Sequence, residues 1–340
     1  MWLISFPKAT DALLAGRLST YDTAYYRSLT DPLKFKSDDI VVPNLRVASV
    51  SIMHSFIQLP RLANLVRRAT SDVNDTKSLQ SALDLSKQLW SLDPCLLIDN
   101  ILQSSTTVAY TPPSDIADII PQTLEFDSVQ PIILCMRYWL LRIYLSSLLQ
   151  TIQYAFPTES ATASVPELLA VQQSDVEAAT NIAQSLSSTL SLSSSLPIVP
   201  LRVLSSLSAS AGSWYRLVQR LTRAQESLAP SSFAYAKTSQ AISDAKRMEI
   251  WAIEQSNRIH DRWGVERGTS TTFEALFDSM AGGKMPDWME KRICVLRSFS
   301  CVLSISMLEY DWLALTCVLG VEHDHAATAA NNVIGSLVPD

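Results

Sequence analysis

The chain reads as an all-α protein, one large helical domain built around a buried central helix near residues 128–155. Three observations predict this. No glycine occurs from residue 17 to residue 211. Phosphate-cradling loops, dinucleotide fingerprints and tight hairpins all use glycine for close backbone approach or positive φ, so this part of the chain is expected to hold none of the first two and few of the third. Apolar residues fill 47% of the 340 positions and charged residues only 18%, enough apolar material for a large core. The long apolar stretches follow helical spacing rather than the alternation that marks a half-buried strand.

Residues 47–71 and 76–91 carry helical periodicity, and Pro60 is placed to kink or divide the first. Segment 92–126 is broken by Pro94, Pro112, Pro113 and Pro121. It reads as an irregular connection with a short helix near Leu96–Gln103. The central helix, 128–155, is apolar nearly all round, which calls for burial on every side. Pro131 fits its first turn and Pro157 ends it. Ser174 and Glu177 have capping-box spacing and predict a helix start there, and Ser164 with Glu167 predicts a shorter helix before it. The serine-rich stretch 185–213 keeps leucines at helical spacing, so two helices are expected, broken at Pro197 and Pro200, the second over about 201–226. Residues 241–263 form an amphipathic helix with Met248, Trp251, Ala252, Ile259 and Trp263 on one broad face and Gly264 as its C-terminal stop. A loop with Gly282 and Gly283 leads to a last apolar helix over about 287–319.

Charge and cysteine usage narrow the function classes. The net charge of −6, with no basic run, disfavours sequence-independent nucleic-acid binding. The five cysteines at 95, 135, 294, 301 and 317 show no CxxC pair, so no thiolate zinc site is expected and the thiols read as buried in a reducing compartment. The N-terminus lacks the basic region of a signal peptide. Arg137 interrupts one candidate membrane span, and Glu309 with Asp311 interrupts another. An intracellular protein without a membrane span is expected, nuclear or cytoplasmic.

Several blocks, in order, carry a resemblance: VPNLRVASVSIMHSFIQLPRLANLVRRA, IILCMRYWLLRIYLSSLLQTI, SDVEAATNIAQSL, LPIVPLRVLSSLSASAGSW, AKRMEIWAIEQSNRIHDRWGV and FEALFDSMAGG. Their order and spacing resemble the C-terminal helical region of fungal Zn(II)2Cys6-type transcription factors, the fungal-specific transcription factor domain. The likeness covers about residues 30–285. Its anchors are Tyr138–Trp139, Pro200–Leu201, Trp251, Asn257–Arg258–Ile259 and Gly282–Gly283. It leaves 286–340 as a C-terminal helical extension. The resemblance implies a role in regulation, effector response and dimer contacts, so a homodimer is one expected assembly. The six-cysteine zinc cluster of the family has no counterpart here, since the first cysteine is Cys95. Direct DNA binding by that means is therefore not expected.

Candidate ligand-binding residues fall in two groups. Arg137, Tyr138, Arg142 and Tyr144 cluster around Trp139 on the central helix. A buried arginine is costly unless paired, so these side chains serve either an anionic ligand or ion pairs with neighbouring helices. Arg137 and Arg142 lie about 140° apart around the axis. They cannot easily grip one group, whereas Tyr138 shares a face with Arg142, and Arg137 with Tyr144. Trp214, Trp251 and Trp263, with Trp288, Gln255 and Asn257, either line an inter-helix cavity or pack as aromatic core. Three weaker candidates are the EHDH run at Glu322–His325 and His260 beside Asp261, both read as solvated polar groups, and the carboxylates Asp93, Asp99, Glu309 and Asp311, whose spacing does not suit a divalent cation. No metal and no cofactor are expected.

Two functional readings follow. In the first, the chain is a non-enzymatic regulatory or ligand-sensing module acting through a protein partner or a small apolar metabolite. In the second, it is a cofactor-free cyclase or pericyclase of fungal secondary metabolism, forming terpenoid or polyketide rings in an apolar inter-helix cavity by proximity and shape.

Overall fold

A computed structural model describes residues 16–32, 44–110, 115–192, 199–263 and 267–283, together with Ala9, Ala12 and Leu13. The expected helix at 287–319, the stop at Gly264, the C-terminal extension, Trp288 and the EHDH run lie outside the described residues.

The described chain is all-α with one small hairpin. Helix α1 (Ala24–Leu29) precedes α2 (Asn44–Phe56) and α3 (Leu59–Ser71). Pro60 divides these last two, sitting in the first turn of α3, where its missing N–H costs nothing. Helix α4 (Thr76–Ser91) starts at Asp75, whose carboxylate accepts from the Ser78 N–H. Helix α5 (Cys95–Ser105) leads directly into strand β1 (Thr106–Tyr110), which pairs antiparallel with β2 (Gln122–Phe126), Thr106 opposite Phe126 and Tyr110 opposite Gln122. This hairpin corrects the expectation of an irregular connection. Its two strands are joined by residues 111–121, a length that needs no two-residue glycine turn. It is tied down by its packing on a helix, where the Phe126 N–H donates to Ser188 Oγ at 3.0 Å.

The central helix α6 (Val129–Ala155) behaves as its composition demands. From Pro131 to Gln153 only Ile133, Arg137 and Thr151 are less than fully buried. It is long and apolar enough to cross a membrane by length and composition, and 89% of its most apolar window is packed inside protein. Helices α2, α3 and α4 cover one side of it. After the short α7 (Pro157–Thr162), α8 (Leu168–Leu192) and α9 (Val199–Glu226) cover the other. Helix α10 (Phe233–Arg262) pairs along α9, and α11 (Ser270–Met280) closes the α9 and α6 surfaces. One apolar cluster, from Leu13 to Met280, runs through these layers.

Two predicted helix starts are corrected. Helix α8 begins at Leu168 and passes uninterrupted through Ser174, whose hydroxyl accepts from Arg142 Nε at 3.0 Å instead of capping. Ser164 adopts φ 54 in the turn after α7 and starts no helix. The second serine-rich helix begins at Val199, with Pro200 in its first turn.

The turn after α11 shows why glycine returns where it does. Gly282 has φ +91, and a Cβ there would stand 2.8 Å from Val66 Cγ1 of α3. The Gly283 N–H donates to the Asp278 carbonyl at 2.8 Å. Arg67 of α3 donates from Nη2 to the Ser279 carbonyl at 2.6 Å and from Nε to the Gly283 carbonyl at 3.0 Å, satisfying the end of α11 with a cation. We expect Gly282→Ala to cost about 1–3 kcal/mol, from the left-handed backbone and the Val66 contact together. Urea denaturation checks this; an unchanged midpoint contradicts the packing described.

Candidate functional site

The central-helix candidates are tied to their neighbours. Arg142 is 6% exposed. Its Nη1 lies 2.8 Å from Asp93 Oδ2, its Nε donates to Ser174, and its guanidinium stacks 3.8 Å from the centre of the Trp90 ring. Tyr138 donates its hydroxyl to the other oxygen of Asp93 at 2.9 Å. Burial and the Asp93 charge push that phenol well above its usual range. The shared face of Tyr138 and Arg142 thus meets one carboxylate from the turn after α4. Tyr144 is fully buried beside Phe56, and its hydroxyl has no hydrogen-bond partner among the described residues. Arg137 is partly buried on another face of the helix.

The tryptophan group is dispersed. Trp214 is buried in α9, its indole N–H without a partner among the described residues. Trp251 is half-buried against the core. Trp263, at the end of α10, is 40% exposed and about 18 Å further along the helix axis than Trp251. Asn257 is committed to the backbone: its side chain donates to the Gly268 carbonyl at 3.0 Å and accepts from the Gly268 N–H at 2.9 Å, fastening the α10–α11 connection.

The weaker candidates also have local partners. His54 bonds Thr30 Oγ1 at 3.0 Å, and burial lowers its pKa. Asp261 pairs with Arg267 rather than with its neighbour His260. No group of three metal-ligating side chains occurs among the described residues.

A pocket forms elsewhere, where α6, α9 and α11 meet. Its volume is about 130 Å³. None of the candidate ligand-binding residues among the described residues lines it. Helix α6 contributes Ser147, Gln150, Thr151 and Tyr154, at relative positions 0, 3, 4 and 7. Helix α9 contributes Arg216, Gln219, Arg220 and Arg223, at the same intervals. That interval set is one helix face. Two polar stripes therefore oppose each other on helices whose other faces are largely apolar. Phe277 and Asp278 of α11 close the remaining side.

The three arginines differ in how they are satisfied. Arg216 is neutralised by Asp175 of α8, a carboxylate only 1% exposed, through a bidentate pair at 2.7 and 2.9 Å. Asp175 also accepts from Ser213 Oγ at 2.7 Å and Gln150 Nε2 at 3.0 Å, so it anchors α6, α8 and α9 together. Arg220 is half-buried, and burial pushes its pKa down. Among the described residues it has no hydrogen bond and no ion pair. Arg223 sits over the Tyr154 ring at 5.9 Å and also has no carboxylate partner. Across the mouth, burial and the charge of Glu274 push the Asp278 carboxyl up. Among the described residues neither Arg220 nor Arg223 has an ion-pair partner, although the charge of Asp175 reaches Arg220 and Asp278 lines the same pocket; the two guanidinium groups can hold an anion.

A signal for this site is present in the sequence. The segment RLVQRLTR places three arginines on one face of a predicted helix. Compared with family models, with curated proteins and with solved structures, the chain matches none of them.

Proposed function

We propose that the chain is a ligand-sensing regulatory module, akin to the C-terminal helical region of fungal Zn(II)2Cys6-type transcription factors, acting through a protein partner that supplies any DNA contact. The ordered family-like blocks support the reading. The observation that carries it furthest is the pocket between α6, α9 and α11, where Arg220 and Arg223 have no ion-pair partner among the described residues. Three helices meet there, so an occupant that bridges them alters their relative stability, which is how a bound effector becomes a signal. A nuclear or cytoplasmic setting and a homodimeric assembly belong to the same proposal.

The cyclase reading calls for an enclosed, apolar, aromatic cavity. The pocket between α6, α9 and α11 and the groove beside it both carry Arg220 and open to solvent, so the sensing reading is preferred. Deletion of the gene in its source organism tests it. A defined set of transcripts changes if the module regulates. An unchanged transcript profile, with the loss of a cyclised metabolite, contradicts regulation and restores catalysis.

A further inference from the structure

The arginine pocket does not end at its own walls. Arg220 also lines an open groove of about 670 Å³ between α8 and α9, whose apolar side chains are Leu169, Val176 and Leu217 and whose remaining lining is polar, Glu177 included. Gln172 in the groove donates to the hydroxyl of Tyr154 in the pocket at 2.9 Å, so the two spaces share a rim. Leu169 is 61% exposed, a large apolar side chain facing solvent in the same groove as Arg220.

We propose that pocket and groove together bind an organic anion with a carboxylate head and an apolar body. This rests on the sensing reading for its biological meaning, but not for its chemistry. The head meets Arg220 and Arg223, whose planar forks match a carboxylate. The body lies along Leu169, Val176 and Leu217. Arg216 takes no part in holding the head, because Asp175 already occupies the Nε–Nη2 edge of its fork and neutralises its charge. An ionised Asp278 at the mouth repels any anion, a dianion about twice as strongly as a monoanion, which favours a carboxylate over a phosphate dianion.

Octanoate, acetate and inorganic phosphate are the probes, titrated into the full chain by calorimetry at low salt. Octanoate binds at least ten-fold more tightly than acetate, and phosphate binds more weakly than octanoate. Arg220→Gln weakens octanoate at least ten-fold, and Arg223→Gln weakens it by a smaller factor. Arg258→Gln, an exposed arginine on the distant α10, leaves it unchanged. Leu217→Gln removes the preference for octanoate over acetate. Arg223 is exposed and Arg220 unpaired, so circular dichroism and melting of both variants match the parent chain.

Octanoate binding that survives both arginine variants, equal affinity for octanoate and acetate, tighter binding of phosphate, or no binding of any probe overturns the proposal. The regulatory reading fails separately. Octanoate bound through Arg220 in a chain whose deletion leaves transcripts unchanged keeps this site and removes that reading.

Discussion

Asp175→Ala is expected to destabilise the fold by about 3–5 kcal/mol, the cost of removing one member of a buried ion pair. The carboxylate is 1% exposed and accepts from Arg216, Ser213 and Gln150 at once. Its loss strands a guanidinium and an amide among α6, α8 and α9, where both are largely withdrawn from water. Most of the penalty is the orphaned cation rather than the lost attraction. Asp175→Ala combined with Arg216→Met should therefore recover a substantial part of the stability, because an apolar pair of similar volume replaces the charges. Urea denaturation of the two variants measures both terms. A single variant within about 1 kcal/mol of the parent, well below the usual cost for a buried pair, contradicts the buried-anchor account.

Trp139→Ala is the second large effect, expected to cost about 3–5 kcal/mol. Trp139 is 2% exposed at the middle of α6, which packs against α2, α3 and α4 on one side and α8 and α9 on the other. Truncation leaves a void that the surrounding helices can close only by moving together, and close packing resists that. Trp263→Ala provides the contrast. It is 40% exposed at the end of α10, and its removal should stay within about 0.5 kcal/mol, as surface changes usually do. Chemical denaturation of the pair reads the difference directly, and equal costs would show that the central position assigned to α6 is wrong.

The helices were legible because burial imposes a period. Helix α6 is apolar nearly all round and is buried nearly all round; α10 is amphipathic along its second half and buries Met248, Ala252 and Ile259 there. The hairpin was hidden for the converse reason. Strand β1 is half-exposed, with Val108 and Tyr110 facing solvent, so no alternation marks it, and the prolines around it suggest only a connection. The Ser174–Glu177 spacing imitates a helix start because capping chemistry is local. Here the hydroxyl is claimed by Arg142, a residue 32 positions earlier in the chain.

The same distinction governs the site. That Tyr138 and Arg142 share a face follows from helix geometry. That Asp93 lies opposite them depends on how α4 meets α6, and no local pattern records it. Attention to tryptophans and to arginines in apolar segments led away from the amphipathic end of α9, where Arg216, Arg220 and Arg223 resemble an ordinary solvated face. What distinguishes them is tertiary. Asp175 satisfies the first from another helix, and α6 and α11 wall in the second.

The most direct test of an anion site between α6, α9 and α11 is nuclear magnetic resonance of the arginine side-chain Nε–H groups during an octanoate titration. The Arg220 signal, assigned by its loss in Arg220→Gln, should shift with saturation while that of Arg216, already held by Asp175, moves far less. A titration in which Arg220 does not move, or in which Arg142 beside Trp90 moves instead, would place the ligand elsewhere and contradict the site described.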